Sequence, residues 1–281
     1  MPATLCCAPV PANRGAKGLT SIAATARTRA LAAVLGLVLA APAFSTPAAS
    51  PRPPDQAPER LVLTCIESSG TQAVAAALVA EAFRRNGLAL SVEAVPGERA
   101  SAMTREGLSD GEVSRIEAYF VTHPQLVRVE PALMATEAAV FVRAADPRFA
   151  GRTVVAAADL RGLRVGIVRG VMQTERGVAS LDRVETVASA RQLHRMLQSG
   201  RLDAIVDSPL SHRRYRMPDG SPAATRQAGD LGAEPVFLGV QARQRDLAAR
   251  LRKTIESMQA SGEWDLVRAR AEDAYVSQPD R

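Results

Sequence analysis

The sequence predicts an α/β fold, and three observations carry that reading. From Leu61 onward, short apolar runs alternate with segments whose apolar residues recur at helical spacing. The chain has 281 residues, a length that suits one large domain or two lobes of about 100 residues each. Hydrophobic residues make up 47% and charged residues 23%, a balance that excludes disorder over the whole chain.

The elements follow in order. Leu61 to Ile66 reads as a strand. The next helix, roughly Gln72 to Arg85, sets Val74, Leu78, Val79, Ala82 and Phe83 on one face and stops at Asn86-Gly87. Leu88 to Val95 is a second strand; Pro96-Gly97-Glu98-Arg99 turns into a short helix, and a further short element surrounds Asp110-Gly111-Glu112. Pro124 to Val129 and Glu137 to Arg143 read as two more strands, followed by a polar surface loop over Asp146 to Arg152. A second α/β unit then begins: a strand over Leu163 to Val168, a glycine-bounded helix start over Gly170 to Gly177, and a strand over Arg183 to Val187. Ser189-Ala-Arg-Gln192 fits a capping box and opens a helix with Leu193, Met196 and Leu197 inward. Asp203 to Asp207 is a strand, Pro209 to Gly229 has no clear pattern, and Pro235 to Val240 is another strand. The tail is helical: Leu247, Leu251, Ile255 and Met258 form one stripe, Gly262 breaks it, and Trp264 opens a last helix.

The N-terminal part has a different character. Arg27-Thr-Arg29 precedes the apolar run Ala30 to Ala41, and Ala41-Pro-Ala43 follows with small residues. Basic start, short apolar core and A-x-A predict a secretory signal peptide over 1–43, and Pro-rich residues 44–58 a linker. Twelve helical residues reach only ~18 Å, short of a ~30 Å hydrocarbon core. The leader holds Arg14, Lys17, Arg27 and Arg29 and no acid, so most of the net charge of +6 belongs to it. That removes the main support for a nucleic-acid partner. Cys6 and Cys7 fall in the leader, which leaves Cys65 as a buried small hydrophobe rather than a reactive thiol.

Known catalytic and cofactor patterns are missing. There is no G-x-x-x-x-G-K-[ST], and Val165-Gly-Ile-Val-Arg-Gly170 lacks dinucleotide spacing. No G-x-S-x-G is present. His123, His194 and His212 lie far apart in sequence and read as ordinary surface or half-buried histidines, so no metal and no cofactor is expected. Two turn-to-helix junctions stand out instead: Glu67-Ser68-Ser69-Gly70-Thr71, and Arg169 leading into Gly170-Val-Met-Gln-Thr174. Each would aim backbone N–H groups and hydroxyls outward from a helix start, as plain capping or as a polar ligand site.

Four segments, in order, resemble the family 3 periplasmic solute-binding proteins. They are Asp110-Gly-Glu-Val-Ser-Arg-Ile116 with Tyr119 and His123-Pro-Gln-Leu-Val-Arg-Val129, then Asp159-Leu-Arg-Gly-Leu-Arg-Val-Gly-Ile-Val-Arg-Gly170. Leu197-Gln-Ser-Gly-Arg-Leu-Asp-Ala-Ile-Val-Asp207 and the tail Leu247 to Trp264 complete the set. The resemblance implies a two-lobed type II periplasmic-binding-protein fold with two interlobe crossings. The first lobe would be 59–142 plus 235–281 and the second 143–234, with a ligand cleft between them. Carried over by residue, Ser68 and Ser69 lie in the first lobe's loop, with Arg99 and Arg115 as anion partners. Arg169, Gly170 and Thr174 face them from the second lobe, and Asp207 takes an amine. Relatives that bind amino acids present aromatic residues where this chain has Ser68-Ser69-Gly70.

The implied function is capture of a small polar or anionic solute by lobe closure, with a membrane permease of an ABC-type importer as partner. The mature chain would be a soluble periplasmic monomer, and not an enzyme. The alternatives are a dehydratase or lyase using Glu112 or Glu175, and a ligand sensor with a degenerate site.

Overall fold

The computed structural model describes residues 60–278 apart from Ser68, residues 218–220 and Pro222. The expected signal peptide (1–43), the linker (44–58) and Ser68 lie outside the described residues. The first half of the chain gives β1 (Leu61–Ile66), α1 (Gly70–Arg85), β2 (Leu90–Val95), α2 (Gly97–Arg105), β3 (Gly111–Ile116), α3 (Glu117–Thr122) and β4 (Leu126–Arg143). The second gives β5 (Val165–Val168), α4 (Met172–Gly177), β6 (Val184–Val187), α5 (Ala190–Gln198), β7 (Ala204–Asp207) and α6 (Pro209–Tyr215). Then β8 (Thr225–Gln241), α7 (Arg245–Ala260) and α8 (Glu263–Ser277) close the chain.

Strand pairing runs β2-β1-β3-β8-β4-β7-β5-β6, and the register divides it into two similar halves. In the first, β1 pairs in parallel with β2 and β3, and β3 pairs antiparallel with the end of β8. That end of β8 pairs in turn with the start of β4, Leu126 opposite Gln241 and Val129 opposite Leu238. In the second half β5 pairs in parallel with β6 and β7, and β7 pairs antiparallel with the end of β4. The start of β8 lies against it, Ala139 opposite Asp230 and Arg143 opposite Thr225. Two long strands therefore cross from one half to the other.

The sequence signals expected at Pro124–Val129 and Glu137–Arg143 are the two ends of one strand, β4, and Pro235–Val240 is the far end of β8. Between these pieces Leu133 is the one buried residue of β4, and residues 229–235 of β8 are half-buried or exposed, so the pattern breaks there. Side chains of the β4 end alternate across the second half-sheet. Ala138, Val140 and Val142 join Val165, Ile167 and Val206 on one face; Ala139 and Phe141 join Leu193, Leu197 and Ile205 on the other. Residues 138–142 thus pack with the second lobe, whereas the sequence reading placed them in the first.

The helix stripes fall where the spacing puts them. Val74, Leu78, Val79, Ala82 and Phe83 of α1 are all at most 1% exposed, and they meet Leu251, Ile255 and Met258 of α7. Full burial of each larger side chain contributes roughly 1.5–3 kcal/mol. Cys65 belongs to the same cluster. The 146–152 segment is less superficial than its polarity suggests: Phe149 is buried in the second lobe, and Asp146 is buried against Arg148 and Arg143. Among the described residues no helix is long and apolar enough to cross a membrane.

One helix of the second lobe leans on the first. Leu210 of α6 packs against the first-lobe core, and Arg214 lies over the Tyr275 ring at 4.6 Å while donating to the Tyr275 carbonyl at 3.2 Å. Arg213 pairs with Glu272 at 3.6 Å.

Candidate functional site

In open α/β sheets the carboxyl ends of parallel strands are where a site forms, because loops there diverge around a crevice. Here Ile66 and Ile116 end β1 and β3, while Val168 and Asp207 end β5 and β7. All four line two adjoining cavities where the halves meet. The first, about 50 Å³, is walled by Ser69, Gln72, Ser114, Arg115 and Tyr119 from one lobe and by Val171, Met172 and Gln173 from the other. The second, about 20 Å³, is walled by Glu137, Val168, Thr174, Ala190, Asp207 and Ser208. Ser69, Thr71, Thr136, Val171 and Gln173 belong to both walls.

Local sequence positions these groups. Ser69 caps α1, its Oγ accepting from the Gln72 N–H at 3.4 Å, which fixes the helix start at the cavity rim. Thr71 Oγ1 reaches Thr136 Oγ1 on β4 at 3.3 Å. From the other lobe Gln173 donates through Nε2 to the carbonyls of Thr136 (3.0 Å) and Gly232 (3.3 Å), which ties α4 to both crossing strands.

Arg115 is buried and does not stand alone. Its Nε donates to Glu112 Oε2 at 2.9 Å, and its Nη2 lies 2.8 Å from the same oxygen. Residues three apart on a strand normally face opposite sides, but the β3–β8 register shifts between Glu112 and Arg115 and brings both side chains together. Glu112, 1% exposed, also accepts from Thr104 Oγ1 (2.8 Å) and from the Tyr119 hydroxyl (2.7 Å). Burial pushes the Tyr119 phenol well above its ordinary pKa, so it remains a donor. The Arg115 guanidinium sits 4.4 Å from the Tyr119 ring centroid.

The first cavity keeps unused hydrogen-bonding capacity. Gln72 Oε1 and Ser114 Oγ are buried and find no hydrogen-bond partner among the described residues, whereas Arg115 Nη2 is taken up by its ion pair with Glu112. Such atoms are rare in native proteins, and two on neighbouring residues of one cavity wall need an explanation. In the second cavity, Asp207 accepts from His194 Nε2 at 3.1 Å and from the Ser208 N–H at 2.7 Å. The Glu137 carboxylate is exposed and has no partner among the described residues.

No family model and no curated protein sequence matches the chain. Solved structures do. A histidine kinase sensor domain with similarity to periplasmic binding proteins is 16% identical, covering 76% of this chain and 96% of its own, with a TM-score of 0.61. An amino acid ABC transporter substrate-binding protein, AbpA from Streptococcus pneumoniae, bound to L-arginine, is 15% identical over 78% of this chain and 97% of its own, TM-score 0.62. The periplasmic VFT2 domain of Bordetella pertussis BvgS is 18% identical over 75% and 92%, TM-score 0.57. The chain has the periplasmic-binding-protein fold.

Against that binding-protein fold the residues expected from sequence divide. Ser69, Arg115, Thr174 and Asp207 come together in the cavity walls. Arg99 on α2 and Arg169 after β5 are exposed and belong to neither wall. Gly170 stands beside the cavities with φ at 78°, its N–H donating to Glu175 Oε1 at 2.7 Å. Its backbone meets Gly97 at the start of α2 so closely that a Cβ on either residue would lie 2.8 Å from the other's backbone. The lobes of this binding-protein fold thus touch glycine to glycine.

Thr71, Gln72, Thr136, Glu137 and Gln173 were missed. Gln173 lies inside the Gly170–Thr174 segment that sequence singled out, but Thr136 and Glu137 sit in the crossing part of β4, which carries no local signal. The histidines also differ from expectation. His194 is 1% exposed, and its ring lies 5.8 Å from that of His212, because α5 and α6 both pack over Phe141. Among the described residues no group of three or more His, Cys, Asp or Glu is placed to hold a metal ion.

Proposed function

We propose that the chain is a periplasmic binding protein that captures a small polar solute between its lobes and delivers it to a membrane permease of ABC type. Export by the 1–43 segment and a soluble, monomeric mature form belong to the same proposal. The observation that supports it most is the pair of unpartnered buried polar atoms, Gln72 Oε1 and Ser114 Oγ, beside the buried Arg115–Glu112 ion pair. These residues line a cavity to which both lobes contribute, at the carboxyl ends of the strands. A bound solute is the simplest partner for them.

The enzyme alternative has less support. Glu112 is held by Arg115, Tyr119 and Thr104, and Glu175 by the Gly170 N–H, and neither lines the two cavities. A sensor is the second reading, favoured by α6, which packs on α8 and ties the two lobes together away from the cavities.

The test is a thermal-shift screen of amines, amino acids, organic acids and amides, followed by recovery of each hit after incubation. A binding protein gives a stabilising hit recovered unaltered. A chemically altered hit means an enzyme, and a screen without hits removes solute capture. A hit that leaves the scattering radius of the protein unchanged favours the sensor with permanently docked lobes.

A further inference from the structure

We infer that the cleft selects an amine whose second polar group is uncharged, a hydroxyl or a carboxamide, over the matching carboxylate, and that Glu112 sets this preference. The inference rests on the small-solute reading above and narrows its chemistry.

Arg115 is the one cationic side chain in the walls of the two cavities. Its charge is already balanced by Glu112, which lies against the Nε and Nη2 edge of the guanidinium. Glu112 cannot swing away to make room, because Tyr119 and Thr104 hold its other oxygen in a fully buried position. A ligand carboxylate at Arg115 would place two carboxylates around one guanidinium that is itself buried, where solvent screening is weak. A neutral group brings no such repulsion.

The unpaired atoms point the same way. The Gln72 amide has a fixed orientation, since its Nε2 donates to the Ser114 carbonyl at 2.8 Å, and this leaves the acceptor Oε1 without a partner. Ser114, in the same wall, carries a second atom without a partner, its hydroxyl Oγ. A carboxamide or hydroxyl both donates and accepts and so answers the whole set, whereas a carboxylate only accepts and leaves Gln72 Oε1 unmatched. At the far end, Asp207 and Glu137 present two carboxylates to the second cavity with no cationic side chain in its wall. That end suits an ammonium group.

Size gives a third constraint. A water-sized group needs about 10–15 Å³ of such space, so cavities of about 50 and 20 Å³ hold roughly five to seven non-hydrogen atoms. L-Alaninamide and 3-aminopropanol meet all three conditions; L-alanine and β-alanine are their carboxylate counterparts.

The experiment is isothermal titration of the protein at neutral pH with these four compounds, repeated on Glu112→Gln, Glu137→Gln and Asp207→Asn. The expected result is at least tenfold tighter binding of each amide or alcohol than of its carboxylate counterpart. Glu112→Gln should shrink that ratio at least tenfold, and Asp207→Asn should weaken both amines at least fivefold. Glu137 is exposed, so Glu137→Gln keeps its fold and should lower amine affinity even if the buried variants do not fold. Equal or tighter binding of the carboxylates to wild type overturns the inference while leaving solute capture intact. An unchanged ratio in folded Glu112→Gln removes Glu112 as its source. If none of the four compounds binds, the inference fails, and the broader screen above decides the fate of solute capture separately.

Discussion

Replacing Gly97 by alanine should wedge the lobes apart without harming either one. The added Cβ would stand 2.8 Å from the Gly170 carbonyl oxygen, 2.9 Å from its Cα and 3.0 Å from its carbonyl carbon. All three atoms are backbone, so no side chain can rotate to clear the space. Ordinary contact needs ~3.5–4.0 Å, so the lobes must part by about 1 Å at this point. Overpacking of this kind costs ~1–3 kcal/mol, which lowers the closed population ~5- to 150-fold. The local effect on α2 has the opposite sign. Gly97 begins the helix outside the left-handed region, where alanine is favoured over glycine by up to about 1 kcal/mol. The result is a separation of two quantities: Tm equal to or slightly above wild type, with affinity for the screened ligand at least fivefold weaker and a larger radius of gyration in solution scattering. Wild-type affinity and an unchanged radius would refute the role given to the glycine contact. A loss of Tm in proportion to the loss of affinity would show instead that the first lobe itself was damaged. Gly170→Ala is a poorer probe, because its φ of 78° adds backbone strain of its own.

The buried ion pair gives a second prediction. Arg115→Met strands the Glu112 carboxylate and should cost ~3–5 kcal/mol in urea denaturation, while Glu112→Gln with Arg115→Met should cost clearly less than the two single changes added. Two titrations shape the acid side of the stability curve. Burial beside His194 holds the His212 imidazole down at about 4. An unfolded histidine takes its proton near 6.5, so the unfolded chain binds the extra proton between these values. Stability therefore falls as pH drops from about 6.5 toward 4, and His212→Gln should flatten that part of a urea-midpoint profile. Asp203 behaves differently: hydrogen bonds from Arg164 and then Arg148 hold its carboxyl far below the carboxylate range. Its contribution is complete above about pH 4 and is lost as pH falls further, so Asp203→Asn should flatten only the more acidic limb.

What the sequence made legible and what it hid have separate physical causes. Helices that bury one stripe against a core announce it by spacing, and α1 and α7 lie where Val74–Phe83 and Leu247–Met258 put them. Ser189 caps α5 through the Gln192 N–H, the half of the capping box visible in S-x-x-Q. The crossing strands were broken into pieces because their middles face two lobes at once and follow neither alternation nor a continuous apolar run. Thr136 and Glu137 vanished with them. Arg115 was legible through its segment, but its partner was not, since Glu112 reaches it only through a register shift that no local rule foretells. Arg99 and Arg169 show the opposite failure. In a chain where 33 of 35 basic residues are arginine, an arginine near a helix start carries almost no information about a site.

The most direct test is to fill the cleft and ask whether ligand stabilisation disappears. Thr136 lines both cavities from a crossing strand, and Thr136→Trp would occupy them. At a hundredfold excess over Kd a ligand stabilises the native state by about 2.7 kcal/mol, and for a folded part of this size that is a Tm rise of roughly 5–10 °C. The rise should appear in wild type and be absent from Thr136→Trp with its unliganded melting otherwise intact. An equal rise in both proteins would place the solute elsewhere and contradict capture between the lobes.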